Sequence, residues 1–295
     1  MLNLTAGDKR LLMAIKLQPP KAPNLIAAPA DYNQQNQQQF LNMLRLYFNQ
    51  LDNDISSLFS NIGGAYLQFP NGAFHQDGVT TLTTSITNAS TTPIVVASTD
   101  DFLSAGALLL DNELIKYTGK TATSFTGITR GAYGSASSAH TAGVYVSEAQ
   151  AVTSSTVPLT IALTKTDVSN QVALNPNDIT QVVYEFSGYY NIQFSVQLAT
   201  YDSTIDTVTI WFRQNGVDIP NSAGIITIPA IHAGKPGAAI VSWNLVLPIN
   251  AGDYIQMMMS SDSGNTVAIT YQPGTSPVHP SSPSIILTST FVSAL

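Results

Sequence analysis

Histidine is the side chain best placed to move protons or bind a metal near neutral pH, and this chain has four: His75, His140, His232 and His279. None stands four residues from another or in a His-Glu-x-x-His frame, the spacings that bring two imidazoles onto one metal. The chain has no cysteine, so thiolate metal sites, disulfides and cysteine nucleophiles are excluded. The run SASSAH, residues 135–140, sets serines beside His140 without the strand-turn-helix setting of a nucleophile elbow or an evident acid partner. GKPGA, residues 234–238, lacks the spacing and the Lys-Ser/Thr end of a phosphate loop. DSGN at 262–265 and DND at 52–54 lack the ligand register of a calcium loop. The expectation is a chain with no catalytic, cofactor-binding or metal site.

Other chemistry-bearing residues read as structural. Asp253, in AGDY, stands at the foot of an apolar strand where it can bond turn amides. Arg130, in TRGAYG, is expected to pair with Glu113. Tyr189, Tyr190, Tyr201, Trp211, Trp243 and Tyr271 can stack on a sugar ring, but they sit in strand patterns where core packing is the default.

The elements that carry these residues differ sharply along the chain. Charged residues make up only 10%, against about 25% in ordinary soluble domains, and the net charge is -7. Four basic residues, Lys9, Arg10, Lys16 and Lys21, oppose only Asp8 at the start of the chain. Residues 1–32 also hold Pro19, Pro20, Pro23 and Pro29, which favour an extended strap. A basic arm on an acidic body suits docking to an acidic protein site; the body has no basic stripe for nucleic acid. The start lacks a signal-peptide pattern, and no later run is long and apolar enough for a membrane span.

Residues 33–64 read as one helix ended by Gly63 and Gly64, left-handed-tolerant residues of the kind that follow helices. Phe40, Leu44, Tyr47, Leu51, Ile55, Leu58 and Ile62 recur at spacings of 4, 3, 4, 4, 3 and 4, an 11-residue period that gives a nearly straight seam. Ordering such a helix alone costs more than burying that seam returns, so it needs partners: identical copies in a trimer, another protein, or its own β body. Flanking Leu41, Leu46 and Phe48 widen the face beyond what a two-stranded coil uses.

Beyond a connector over 65–91, the pattern turns to period 2, β-branched residues and frequent turns. Residues 92–150 read as a small β module in which Ala107–Leu110 and Glu113–Thr118 flank an Asp111-Asn112 turn. Residues 151–295 carry a Ser/Thr-rich leader and eight strand candidates: 180–186, 189–199, 207–214, 224–228, 239–247, 253–260, 267–271 and 284–292. With no helical period between them, they read as an antiparallel sandwich or jelly roll. Gln214-Asn215-Gly216 supplies a hairpin turn.

The segments GYYNIQFSVQL, TVTIWFRQNGVDIPNS, VSWNLVLPINAGDYIQMMMSSD and SIILTSTFV resemble the jelly-roll heads of tumour necrosis factor and complement-type proteins, in the version found in tailed-bacteriophage virion proteins. The module is similar to one recurring in phage structural proteins, through Glu113 with Tyr117-Thr118-Gly119, Phe125-Thr126-Gly127, Thr129-Arg130-Gly131 and His140 before Gly143. The helix with NQQNQQQFLNMLRLYFNQLD resembles the N-terminal segment of cyanophage structural proteins. The resemblance implies a mainly β homotrimer in the virion, with an N-terminal extended arm, one long helix, a small β module and a C-terminal antiparallel jelly-roll β-sandwich head. It implies docking on phage tail or capsid proteins through the arm, and a host-surface glycan or protein receptor facing the head. The expected role is a short tail fibre or tailspike, with a capsid decoration protein at three-fold sites as the alternative. An enzyme cleaving surface polysaccharide would need a carboxylate pair and usually repeated β-helix coils, and neither is apparent.

Overall fold

The structure, a computed structural model, describes residues 34–59, 69–274 and 278–295. The arm residues Lys9, Arg10, Lys16 and Lys21, the seam residue Ile62 and the helix-ending glycines lie outside the described residues. The chain divides into two compact units, one through Phe69 and one from Pro70.

The first unit contains α1 (Gln34–Phe59), with no acidic residue in its first turn and no basic residue in its last. It gains nothing from charges placed against its dipole. The seam residues Phe40, Leu44, Tyr47 and Leu51 are half-buried, whereas Leu41, Leu46 and Phe48 are exposed. Ile55 and Leu58 fall within the helix.

The second unit is built from strands. In chain order they are β1 (Asn71–Gln76), β2 (Val79–Thr81), β3 (Ile94–Val95), β4 (Gly106–Leu110), β5 (Glu113–Tyr117), β6 (Gly119–Thr121), β7 (Ser124–Thr126) and β8 (Tyr145–Ala151). There follow β9 (Leu159–Thr160), β10 (Lys165–Asn170), β11 (Val172–Asn175), β12 (Asp178–Tyr184), β13 (Gly188–Thr200) and β14 (Asp206–Gln214). The last six are β15 (Val217–Asp218), β16 (Gly224–Ile228), β17 (Gly237–Ile249), β18 (Tyr254–Ser261), β19 (Val267–Thr270) and β20 (Ile285–Ser293).

Two sheets form an antiparallel sandwich. The larger runs β10-β1-β20-β13-β19-β8-β4-β5, with β17 on β13 and β2 on β8; the smaller runs β11-β12-β18-β14-β15, with β16 on β14 and β9 on β18. Alternation decides which faces meet. Tyr190, Ile192, Phe194, Val196 and Leu198 of β13 point inward and share one core with Val208, Ile210 and Phe212 of β14 and Ile255, Met257 and Met259 of β18. The Phe194 and Phe212 rings meet edge to face with centroids 5.6 Å apart, the favoured aromatic geometry. Asn215 and Gly216 have φ of 50° and 80°, the left-handed pair that a two-residue hairpin needs.

A second core, with Leu82, Ile86, Ile94, Leu108, Leu110, Ile115, Tyr117, Phe125 and Val146, lies under the small three-stranded sheet β3-β7-β6. The module shares a sheet with the head, because β8 pairs with β19 through Ala151↔Ala268 and Thr270↔Ala149. The interval 65–91, a connector by its sequence, supplies β1 and β2 and places Leu82 and Ile86 in the module core. Its strand character is hidden because β1 reads NGAFHQ: an Asn-Gly start and one large apolar side chain give no alternation to read.

Candidate functional site

The module gathers the residues singled out by type into one ion cluster. The Asp111-Asn112 turn closes on Leu110↔Glu113, with Asp111 at φ 51°, so both acids stand at one end of the β4-β5 hairpin. Glu113 is buried, and Arg130 forks onto it, with Nε 2.8 Å from Oε1 and Nη2 2.8 Å from Oε2. The Gly131 amide donates to Oε1 at 2.8 Å, and the Ser138 amide to Oε2 at 2.9 Å. The rest of the guanidinium donates to the carbonyls of Thr87 and Ser138. Burial pushes the Glu113 carboxyl up, but the Arg130 fork, the Ser138 amide, His140 and the Gly131 amide together hold it at about 2.

His140 completes the cluster. Its Nδ1 is 2.8 Å from Asp111 Oδ2, its Nε2 is 2.9 Å from Glu113 Oε2, and Ser138 Oγ lies 3.2 Å from the same Nε2. Asp111, His140 and Ser138 thus stand in the order of an acid-base-nucleophile relay. Both imidazole nitrogens already face carboxylate oxygens, and Ser138 Oγ shares Nε2 with the nearer Glu113 Oε2, so the ring is not held for Ser138 alone. The cluster instead ties the loops at residues 87–90, 130–131 and 138–140 to β5, and Asp111, absent from the sequence reading as a partner of His140, is its outermost member.

A second buried acid, Glu148 of β8, behaves oppositely. Burial pushes it up to about 8, against the pull of Tyr117, the Leu103 amide and Lys120. Tyr117 Oη lies 3.0 and 2.9 Å from the two Glu148 oxygens and 2.9 Å from the Leu103 carbonyl. A neutral Glu148 satisfies this geometry by donating to Tyr117 Oη, which then donates to Leu103. Room for the carboxyl comes from Gly106, where an added Cβ would lie 2.9 Å from Glu148 Oε1.

The other histidines remain apart. His75 faces Asp167 at 2.7 Å and Asp77 at 3.3 Å, His232 turns back on Lys235, and His279 lies near the Pro280 carbonyl. Among the described residues no group of His, Asp or Glu side chains could hold a metal ion. Asp253 accepts from the Asn250 amide at 2.9 Å and from Asn215 Nδ2 at 2.7 Å, fixing the start of β18. DSGN is a turn in which Asp262 accepts from the Thr207 amide at 2.8 Å.

The six aromatics read as core residues by default mostly serve the fold. Tyr190, Tyr201 and Tyr271 are buried, Trp243 packs on Phe194 with ring centroids 4.4 Å apart, and Trp211 donates to Asp218 at 2.8 Å. Tyr189 is exposed, and so is Tyr145, which the sequence reading passed over. Its signal was the alternation Val144-Tyr145-Val146, which turns Tyr145 away from the core that Val146 enters.

One further surface stands out. On the outer side of the larger sheet, β13 presents Tyr189, Asn191, Gln193, Ser195 and Gln197, flanked in register by Ile240, Ser242, Asn244, Val246 and Pro248 of β17 and by Ile286, Thr288, Thr290 and Ser293 of β20. No charged residue interrupts it. β17 pairs with β13 over its whole length, and no strand covers its other edge among the described residues.

The chain matches no protein-family model and no curated protein sequence.

Proposed function

We propose that this chain is a structural protein of a tailed-phage virion, a homotrimeric short tail fibre or tailspike whose N-terminal arm docks on the tail and whose jelly-roll head faces the host. The observation that carries the reading is the uncharged outer face of β13, β17 and β20. Symmetric association sets like residues near one another, so charges there repel across the axis, while Asn, Gln, Ser and Thr bond in either direction. The low charge of the whole chain, 10%, fits the same use. Three as the copy number comes from the resemblance to tumour necrosis factor and complement-type heads. The exposed Leu41, Leu46 and Phe48 of α1 supply apolar area for the second role, docking or helix-helix packing.

No helix among the described residues is long and apolar enough to cross a membrane. The ion cluster supports a binding and assembly role over a catalytic one, since both nitrogens of its histidine face carboxylate oxygens. Sedimentation of the full chain is expected to give a particle of three 31.4 kDa chains. Mixing it with isolated phage tails and isolated capsids then separates the two placements. Retention on tails is expected; retention on capsids alone moves the protein to the shell, as a decoration protein at three-fold sites.

A further inference from the structure

The outermost member of the ion cluster opens onto a shallow cavity of about 230 Å³ lined by Leu109, Asp111, Val144, Tyr145, Ser147 and Pro273. Two strands build it. Leu109 pairs with Ser147 across β4 and β8, and Asp111, in the turn that follows β4, and Tyr145, at the start of β8, line the cavity with them. Tyr145 is 54% exposed, although an aromatic of its size would ordinarily be recruited to a core. The Asp111 side chain is 59% exposed, yet one oxygen is fixed by His140 at 2.8 Å. That histidine is itself held by Glu113, which Arg130 grips through two bonds. A surface carboxylate is therefore aimed by three buried residues behind it, and its second oxygen is left as an acceptor beside an aromatic ring.

The chemistry narrows the occupant. Arg130 is paired with Glu113 behind the cavity, and Asp111 is the member of the cluster that lines it, so the cavity offers a carboxylate acceptor. No cation lines it, which disfavours phosphate, sulfate or uronate groups. The apolar Leu109, the rings of Tyr145 and Pro273, and the two polar groups Asp111 and Ser147 suit a ligand with one C–H face and a rim of hydroxyls. The volume has room for about one ring, lying below the roughly 300 Å³ at which drug-sized sites begin. We propose that this cavity is a subsite for one pyranose ring of a neutral glycan, stacked on Tyr145 and donating a hydroxyl to Asp111. The proposal rests on the host-facing role above for its biological sense, and its test is independent of assembly.

Saturation-transfer NMR on the full chain with the methyl glycosides of glucose, galactose and mannose is the direct measurement. At least one is expected to receive saturation at its ring C–H protons. Tyr145→Phe is expected to retain the signal. Tyr145→Ala and Asp111→Ala are each expected to weaken affinity at least about tenfold, with Tyr145→Ala melting like the parent because its side chain is exposed. Should Asp111→Ala fail to fold, Tyr145→Ala decides alone. Absence of transfer from all three glycosides at about 20 mM, well above the millimolar affinities that small ligands reach, overturns the proposal. So does an undiminished signal in Tyr145→Ala. Either result leaves the trimer and the virion docking to be judged by sedimentation and by the tail and capsid mixtures.

Discussion

Two buried glutamates in one small module show how neighbours set the sign of an acid's contribution. Glu113 has its charged form favoured, at about 2 against an ordinary 4.5, so its stabilisation is fully present above about pH 4.5 and is lost as pH falls toward 2. Arg130→Ala leaves that charge buried without its fork and is expected to cost about 3–5 kcal/mol in urea denaturation at pH 7. Arg130→Lys should recover only part, because a point charge cannot replace two parallel bonds. Glu148 has its neutral form favoured, at about 8, so it costs nothing below about pH 4.5 and destabilises progressively as pH rises to 8. Glu148→Gln removes that cost while keeping an acceptor for the Leu103 amide. It is expected to raise stability at pH 8 by up to about 4 kcal/mol and to leave it nearly unchanged at pH 4.5. Thermal melts at the two pH values check this, and an equal effect at both would refute the buried-acid assignment. The pairing of Glu113 with Arg130 was legible from residue types and the compact turn-rich module. The role of His140 was not, because Asp111 reads as a turn residue until the hairpin folds it back.

At the scale of elements, the head strands were legible because alternation is long and clean there. Residues 189–199 and 224–228, read as strands, fall at β13 (Gly188–Thr200) and β16 (Gly224–Ile228), and Asn215-Gly216 forms its turn. The edge strands were not legible. β10 reads KTDVSN with its middle residues exposed, so pairing with β1 rather than burial holds it, and pairing leaves no hydrophobic period. The joining of module to head was equally hidden, since β8 meets β19 across more than a hundred residues and short apolar strands carry no mark of their partner. The repeated Thr-Gly pairs of the module do have a local cause. Gly127 has φ +65°, and a Cβ there would lie 1.9 Å from Thr118 Oγ1. Gly127→Ala therefore meets both a left-handed backbone and a collision, and is expected to destabilise by about 2 kcal/mol or more, read as a lowered midpoint in urea.

If the chain assembles as proposed, two parts are candidates to hold the copies together, and they lie in different units. α1 offers the half-buried seam of Phe40, Leu44, Tyr47 and Leu51, whereas the second unit offers an uncharged face and an edge of β17 that no strand covers among the described residues. A helix of this composition lacks helpful charges at both ends and gains most of its stability from packing, so it follows an assembly more readily than it nucleates one. Among the described residues, every strand and all three hydrophobic clusters lie in the second unit, and a chain beginning at Pro70 cuts none of them. Such a chain is expected to sediment as a trimer. Ser195→Arg, at the centre of the face between Ser242 and Ile286, puts a cation where copies would meet and is expected to shift it to monomer. Ser203→Arg, on an exposed loop, should leave it assembled. A Pro70 chain that is monomeric without substitution would assign the staple to the N-terminal unit, and the uncharged face would then need another partner.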